Sequence, residues 1–495
     1  MNVEPLTPIT SVKVIRSIPF DNTYKDVLDF SSTSSQISYF TGKAKETFTN
    51  LSPVSIYKNS IKLPRPADFF YDCNYLMFQN ANFNTKWFYA FITNIEYVSV
   101  NMSIVHFEID VFQTWYFDVT IKESLVEREH STTDNVGDNL VIENVDLGYY
   151  REEPAERTNM MNGYYTVVAT SWLGDETVSG GLKGGIYSGL KYIAYDTDNS
   201  SQVSELNEFL KLITQANKID SVVSLFMIPS SFYRDEDLPA MLRFEATMNK
   251  SKIGNYTPKN KKLLTYPYNF LYVHSSDGSN AIYKYEYFQS NTVCAFALSC
   301  GMSCNPEIVL EPIAYQSQQF NVDESLVLSG FPQCSYTIDS FRAYLAQNST
   351  SLGLNLISNG VTAVTNPVAG TLGMASTLNG VVQASMKPPM ARGSQGNSTF
   401  VGTREKDFYF INKHISEEYA KIIDDYFSMF GYATNRVKIP NTKNRPSWNY
   451  VKTQDIKIVG SVPFNDMAKI KTIYNNGVTI WHGDWVGDYS RNNQV

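Results

Sequence analysis

Residues 87–115 read WFYAFITNIEYVSVNMSIVHFEIDVFQTW, and this stretch decides the fold. Apolar side chains recur at alternate positions from Trp87 to Tyr97, with Thr93 filling the one gap, and the alternation resumes after a break at 98–100 and continues to Trp115. A two-residue period places alternate side chains on opposite faces of a strand. The stretch predicts a long β-hairpin or meander, half buried on one face, with a turn or bulge at the break. Such strands extend a sheet between subunits or form a hairpin within one monomer, and the pattern favours neither.

The composition favours a β-rich protein of several domains. The chain has 495 residues, of which 43% are hydrophobic and 18% charged, and it holds 33 Tyr and 29 Phe. This length predicts about two to four domains. Aromatic-rich, charge-poor chains suit sheet surfaces and large interfaces, so we expect a mainly β fold with some α (α+β). The net charge of −8 argues against stable DNA binding, because basic residues supply most of the affinity for phosphates.

Changes in composition along the chain predict five segments. Alternating apolar residues mark two β-rich parts, and the stretch between them is richer in Gly, Ser and Asp with weaker periodicity. An uncharged stretch and an orderly C-terminal part follow. The predicted segments are a first β-rich domain at 1–130, a peripheral inserted region at 131–262, a second β-rich domain at 263–342, an uncharged Gly/Ala-rich loop at 343–402 and a C-terminal part at 403–495.

Two helices are predicted in the C-terminal part. Ser416 is placed to cap a helix that ends at Gly431, since hydroxyl residues favour helix starts and glycine favours helix ends. A second helix is predicted at 465–474, followed by a strand at 478–482. The first helix carries apolar residues at helical spacing, namely Tyr419, Ile422, Ile423, Tyr426, Phe427 and Phe430.

The uncharged segment Ala343–Met386 is the candidate functional site. It contains no charged residue, glycines space it out, and Asn366-Pro367 predicts a turn near its middle. Two arms of about twenty residues would each be long enough to span a bilayer as helix. Many Thr, Ser and Asn residues make the arms too polar for a permanent membrane anchor. The candidate membrane-active residues are Leu352, Leu354, Leu356, Ile357, Val361, Val364, Pro367, Val368, Leu372, Met374, Leu378, Val381, Val382 and Met386.

No catalytic, cofactor-binding or metal site is predicted. Cys300 and Cys304 lack a second Cys/His pair nearby, so buried free thiols are expected rather than a zinc site. The glycine-rich string at 180–185 lacks the Gly-Lys-Ser/Thr ending of a phosphate loop. Glu129 and His130 end a predicted strand, where a salt-bridged pair is favoured over a catalytic base. The N-terminus shows no signal-peptide pattern, so synthesis in the cytoplasm is expected.

Several strings, taken together and in order, resemble those of one phage protein family. They are IPFDNTYK at 18–25, MFQNAN at 77–82, KWFYAF at 86–91, VHFEIDVFQTW at 105–115, VEREH at 126–130, FGY at 430–432, NRV at 435–437, NYV at 449–451 and NNGVTIWH at 475–482. The family is the tail knob, or distal tail tube, proteins of small short-tailed phages of Gram-positive bacteria, the picovirus group. The resemblance covers about residues 10–130 and 403–490, whereas residues 131–260 depart from it and look shortened.

The resemblance implies a late virion protein that forms a homohexameric tube. Two β-rich domains would line the channel, and viral DNA would pass through without sequence-specific binding. Other tail proteins would adjoin it, a tube or collar above and a tail-tip protein below. The uncharged loop would plug the resting tube, and on infection it would be released and transiently penetrate the host cytoplasmic membrane.

Two other functions are alternatives to this one. The first is a purely structural tube or adhesin that contacts the cell wall without a membrane step, in which case the uncharged segment is an ordinary loop between subunits. The second is an enzyme such as a cell-wall hydrolase. No paired-carboxylate or Cys/His signature supports an enzyme.

Overall fold

A computed structural model describes most of the chain, and its strands and helices confirm the predicted mainly β fold with some α. By contact, the chain divides into two compact units. The described residues are 9–51, 59–80, 86–160, 164–174, 176–177, 181–183, 186–188, 191–196, 198–216, 218, 221–232, 241–301, 306–329, 331, 333–335, 354–357, 360–363 and 406–495. Unit 1 comprises Met1–Gly148, Asn255–Leu263 and Glu417–Val495, and unit 2 comprises Tyr149–Gly254 and Leu264–Ser416. The sequence segments 131–262 and 403–495 are therefore each divided between the two units.

The strands are numbered in chain order. The first nine are β1 Ile9–Arg16, β2 Asp26–Leu28, β3 Ala44–Leu51, β4 Ser60–Leu63, β5 Cys73–Asn80, β6 Trp87–Ser99, β7 Met102–Ile109, β8 Val119–Ile121 and β9 Ser124–Glu129. The next ten are β10 Tyr150–Glu152, β11 Glu156–Arg157, β12 Tyr164–Thr170, β13 Trp172–Leu173, β14 Glu176–Thr177, β15 Gly181–Lys183, β16 Ile186–Ser188, β17 Lys191–Asp196, β18 Val222–Pro229 and β19 Leu242–Thr247.

The remaining strands complete both units. They are β20 Asn269–Ser275, β21 Asn280–Tyr283, β22 Val293–Gly301, β23 Glu307–Tyr315, β24 Gln318–Phe320, β25 Leu326–Leu328, β26 Gln333–Ser335, β27 Leu354–Ile357, β28 Gly360–Ala363, β29 Phe408–Ile415, β30 Tyr432–Lys438, β31 Trp448–Gln454, β32 Ile458–Gly460 and β33 Val478–Trp481. The α-helices are α1 Thr33–Gly42, α2 Val111–Trp115, α3 Ser200–Gln215, α4 Glu417–Phe430 and α5 Phe464–Asn476.

The first sheet of unit 1 contains the predicted hairpin. Its strand order is β3-β1-β5-β6-β7-β4, and β6 and β7 pair antiparallel with Ile95 opposite Val105. Bulges interrupt this ladder between Ile92 and Asn94 and again near the turn. The prediction that the strand continues to Trp115 is wrong. The strand ends at Ile109, because the Asp110 carboxylate accepts a hydrogen bond from Gln113 N at 3.0 Å and starts α2.

The second sheet of unit 1 has the strand order β2-β33-β31-β9-β30. Trp448 and Trp481, on adjacent strands, are buried with ring centroids 5.2 Å apart. The predicted helices are confirmed as α4 and α5, and Gly431 follows α4 with a φ of 64° that favours glycine. Ile422 was predicted among the apolar residues of α4 but is exposed, because it lies one residue off the stripe that buries Ala420, Ile423 and Phe427.

Unit 2 is built from three larger sheets around one main core. Their strand orders are β10-β29-β20-β21 with β11 beside β29, β19-β22-β23-β24 with β25 beside β23, and β17-β12-β18-β26. Aromatic residues fill the core, where Phe244 stacks on Phe410 with ring centroids 4.5 Å apart and Phe296 packs against Phe410 at 5.1 Å. The predicted β-type character from Leu263 to Val309 is confirmed by β20 to β23.

Replacing Ser32 by Ala is expected to lower the free energy of unfolding of unit 1 by about 1 kcal/mol. Ser32 Oγ accepts from Ser35 N at 3.2 Å, and Ser35 Oγ accepts from Ser32 N at 3.1 Å, which forms a reciprocal cap at the start of α1. Urea unfolding followed by tryptophan fluorescence measures the loss. The control is Ser38→Ala on the exposed face of α1, which should cost nothing; equal losses for both would contradict the cap.

Candidate functional site

Part of the uncharged segment forms a β-hairpin. Strands β27 and β28 pair antiparallel, with Leu354 opposite Ala363 and Ile357 opposite Gly360. The predicted residues Leu354, Leu356, Ile357 and Val361 fall in these two strands. The other predicted membrane-active residues, Leu352, Val364, Pro367, Val368, Leu372, Met374, Leu378, Val381, Val382 and Met386, lie outside the described residues.

The two ends of the stretch 330–405 meet in unit 2. We call Asp277, Ser329, Lys406 and Asp407 the loop neck. Ser329 follows β25 directly, and its N donates to Asp277 Oδ2 at 3.0 Å. Lys406 lies two residues before β29, and its Nζ donates to the carbonyl oxygen of Ser329. Ser329 and Lys406, which flank the stretch 330–405, are therefore in direct contact, and after Ser329 the chain still adds β26 to the sheet that contains β18.

Asp407 fixes the returning side of the loop neck. Its N donates to Ser276 Oγ at 2.9 Å, and its carbonyl oxygen accepts from Ser276 N at 2.9 Å. Its carboxylate Oδ1 accepts from Thr158 Oγ1 at 2.9 Å and from Met160 N at 3.0 Å. Asp407 is buried, so these bonds hold the chain firmly where β29 begins.

The surroundings of the loop neck shift the pKa values of its charged side chains Asp277 and Lys406. Burial tends to raise the pKa of Asp277, but hydrogen bonds from Ser275, Ser329 and Ser279 outweigh burial and hold that pKa below its usual range. Burial lowers the pKa of Lys406, and the nearby Asp277 carboxylate partly offsets this effect. Asp277 therefore contributes stability that is present at neutral pH and is lost as the pH falls through its lowered pKa.

Buried carboxylates in unit 1 were not predicted from the sequence. Glu143 Oε1 accepts from Lys262 Nζ at 2.6 Å and from Ala433 N at 2.7 Å, and Arg128 donates to its other oxygen. These contacts fasten the irregular stretch 131–148 onto unit 1. No local pattern marks Glu143, since its partners lie as far as 290 positions away.

Asp424 fastens a second irregular stretch of unit 1 to α4. Its carboxylate accepts from Tyr256 Oη at 2.6 Å, from Lys259 N at 2.7 Å and from Asn260 N at 2.9 Å. Asn260 Nδ2 adds a further bond at 2.8 Å. Asp424 is completely buried on α4. The sequence signal for its role is that it occupies the apolar stripe of the helix, where a polar side chain needs hydrogen-bond partners.

The predicted salt-bridged pair of Glu129 and His130 is wrong. Glu129 pairs with Lys438 and accepts from Asn441 N at 2.8 Å. His130 Nδ1 instead accepts from Tyr450 N at 2.8 Å. Burial lowers the pKa of His130 to about 3, so the ring is neutral and unable to pair with a carboxylate. Successive residues of an extended chain point to opposite faces, which separates these neighbours.

The described residues show structural rather than reactive cysteines. Cys300 is a buried free thiol, as predicted, and so are Cys73 and Cys294, whereas Cys304 lies outside the described residues. Burial raises the pKa of Cys73 to about 12, which suppresses its thiolate. Within the described ranges, no group of three His, Cys, Asp or Glu residues is placed to hold a metal ion. None of the helices described there has the length and apolar character needed to cross a membrane.

Two family models match the chain. The C-terminal domain of the tail knob protein gp9 of Bacillus phage phi29 matches residues 236–494, more than half of the chain. The N-terminus of caudoviral major tail proteins matches residues 8–121, which include the first sheet of unit 1.

Longer alignments and a solved structure agree with these matches. The tail knob proteins gp9 of Bacillus phages B103 and phi29 are each 27% identical over 598 and 602 aligned residues, covering 98% of this chain and 98% of each relative. Both alignments exceed 495 positions, so they contain gaps opposite residues of the relatives. The bacteriophage C1 tail knob protein gp12 is 16% identical, covers 98% of both chains and superimposes with a TM-score of 0.57, which indicates a shared fold.

Proposed function

This chain belongs to the phage tail knob protein family represented by gp9 of Bacillus phage phi29, and on that basis we propose that it forms the distal tube of a short tail and conducts the genome to the host membrane. It is a structural component of the virion tail. In the proposal, six copies enclose a channel between a tube or collar above and a tip protein below. The chain has no enzymatic step to perform.

The loop neck carries the membrane part of the proposal. A stretch whose two ends are fixed at one point can leave its resting place without disturbing the fold at its base. Ser329 and Asp407 are held by hydrogen bonds to the β20–β21 turn region, and β26 holds residues 333–335 in a sheet of unit 2. We propose that the loop 343–402, with its uncharged core Ala343–Met386, plugs the channel at rest and enters the host cytoplasmic membrane on infection.

The chemistry of the segment supports storage followed by transfer into lipid. Carrying a charged side chain to the centre of a bilayer costs about 2.5–3.5 kcal/mol on insertion scales, and Ala343–Met386 carries none. Six neighbouring copies can satisfy one another's backbone groups in lipid. A net charge of −8 on each chain disfavours adhesion of DNA to the channel.

A purely structural tube or adhesin is the second candidate. The observation in its favour is the β27–β28 hairpin, since part of the uncharged segment already forms regular structure within unit 2. In this alternative the segment packs between subunits and never meets lipid.

Replacing 336–405 with a ten-residue Gly/Ser linker is expected to abolish dye release from liposomes while the assembly stays intact. Ser335 lies at most roughly 20 Å along the chain from Ser329, and ten extended residues reach about 33 Å, so the linker can close the loop neck. Full-length and shortened chains are compared at neutral and mildly acidic pH. Undiminished dye release by the shortened chain would contradict the proposal, and loss of assembly would favour the structural alternative.

A charged variant tests the segment without shortening it. The double substitution Val381→Asp and Val382→Asp places two carboxylates in the segment and should reduce dye release strongly. The control is Val322→Asp, at an exposed position of unit 2 outside the segment, which should release dye as the natural chain does.

A further inference from the structure

Helix α3 contacts part of the uncharged segment. It lies against two strands of unit 2, β17 of the sheet β17-β12-β18-β26 and β28 of the β27–β28 hairpin, with Cα atoms within 8 Å of each. The side that faces the sheet is apolar, since Leu206, Phe209 and Ile213 are buried in one cluster with residues of β12, β17 and β18. The helix therefore contacts both a sheet of unit 2 and the hairpin.

A second row of α3 is also buried. Val203 is buried outside the cluster that packs on the sheet, and Asn207, one turn later, is only 4% exposed. A helix turns by about 100° per residue, so Asn207 lies well round the helix from Leu206. The sheet does not account for the burial of this row, and a further element must cover it.

The side chain of Asn207 has no hydrogen-bond partner. Its Oδ1 and Nδ2 are both shielded from solvent, and neither atom bonds to any other part of the described chain. In water the same amide would accept and donate several hydrogen bonds, and leaving them unmade in a buried site costs free energy. The packing that buries Asn207 is therefore weaker than the same packing around an apolar side chain of similar size.

We propose that α3 is the resting seat of the β27–β28 hairpin and that Asn207 keeps this seat weak enough to open. At rest, β28 covers the row that carries Val203 and Asn207. When the hairpin leaves, water reaches the amide and the cost of its burial disappears, so the two states differ in free energy in favour of departure. The inference rests on the proposed function, in which the loop leaves its resting place, and names the contact that holds part of the loop until then.

Replacing Asn207 by Leu tests the weakness of the seat. Leucine has nearly the same size and no polar atom, so hydrogen exchange of the β27 and β28 amides should slow about tenfold or more. An isolated two-stranded hairpin is marginally stable in water, so this exchange measures how often the hairpin leaves α3. Exchange of the β12 amides in the same experiment verifies that the sheet is folded.

The next residue of the helix gives the control for this variant. Glu208 is exposed, so Glu208→Leu should leave the exchange of the hairpin amides unchanged. Unchanged exchange in Asn207→Leu, or equal slowing in both variants, would overturn the proposal.

Cross-linking tests the contact without altering Asn207. Ser204 is half-buried and follows Val203 directly, and Thr362 lies in β28. A chain carrying Ser204→Cys and Thr362→Cys, treated with a short flexible thiol cross-linker, should give an intramolecular link between these positions that mass spectrometry identifies. The control replaces Glu205, on the opposite and exposed side of α3, in place of Ser204, and should give much less of the link. Absence of the link at Ser204, or equal amounts from both chains, would overturn the proposal.

Dye release from liposomes separates this inference from the proposed function. Asn207→Leu should release less dye than the natural chain, because a firmer seat holds the hairpin back. Slower exchange with undiminished dye release would confirm the seat and contradict only the membrane step. Unchanged exchange would overturn the seat, whatever the dye release.

Discussion

Replacing Glu143 by Gln is expected to lower the free energy of unfolding of unit 1 by about 3–5 kcal/mol. The Glu143 carboxylate lies between Arg128 and Lys262, and the side chains of Glu143 and Lys262 are buried. Removing the negative charge leaves two cations in a poorly hydrated site. The amide keeps only one acceptor oxygen, so its NH₂ group must face a donor, either Arg128 or the pair Lys262 and Ala433.

Urea unfolding followed by tryptophan fluorescence measures this loss mainly in unit 1. Five of the six tryptophans belong to that unit, namely Trp87, Trp115, Trp448, Trp481 and Trp485, and only Trp172 belongs to unit 2. The control is Glu127→Gln, because Glu127 pairs with Lys452 at 2.7 Å at a half-exposed site. Such pairs contribute about 0–1 kcal/mol. Equal losses for the two variants would contradict the importance of the buried carboxylate.

The difference in free energy of unfolding between the natural chain and Glu143→Gln should become smaller at alkaline pH. Burial lowers the pKa of Lys262, and Glu143 opposes this effect. Without Glu143 the pKa falls further below the ordinary lysine value of about 10.4. At a pH between the lowered pKa of Lys262 in the folded chain and its ordinary pKa in the unfolded chain, the unfolded chain binds more protons, so stability rises with pH. The rise is larger in the variant, and unfolding at neutral and alkaline pH measures it.

Replacing Asp424 by Asn is expected to cost about 3 kcal/mol of unit 1 stability. The Asp424 carboxylate accepts four hydrogen bonds, from Tyr256, Lys259 and two nitrogens of Asn260. An amide offers only one acceptor oxygen, and its NH₂ group would face other donors. The stretch 255–263 should then detach from α4 and become a site of limited proteolysis.

The neighbouring residue gives a matched control. Asp425 has a side chain that is 64% exposed, and its contact with Lys259 is 3.7 Å long. Asp425→Asn should therefore change stability by at most about 0.5 kcal/mol and leave proteolysis unchanged. If Asp424→Asn behaved in the same way, the four hydrogen bonds would contribute little to holding the stretch.

Elements with a strong local period could be predicted from the sequence. The β6–β7 hairpin follows from alternation between Trp87 and Phe107, and α4 follows from apolar spacing between Ser416 and Gly431. The end of the hairpin could not be predicted in this way, because alternation continued past Ile109. There the hydrogen bond between Asp110 and Gln113 decided the structure, and a period count cannot show it.

Features that depend on distant contacts could not be predicted. The loop neck joins Lys406 to Ser329 across 77 positions, and Glu143 joins Lys262 across 119. The lack of charge in Ala343–Met386 could be recognised from the sequence, because it is a property of the composition and does not depend on contacts with distant residues. The same contacts explain why the segments 131–262 and 403–495 are each divided between the two units.

The fixed ends at β26 and Lys406 also set how far the stretch 336–405 can extend while its base stays folded. Each of two arms has about 35 residues. A helical arm of that length spans roughly 53 Å, since helices rise 1.5 Å per residue. A bilayer with its headgroup regions is about 40–45 Å thick. Each arm is therefore long enough to cross a bilayer once. A few further residues would connect it to unit 2, which stays outside the lipid.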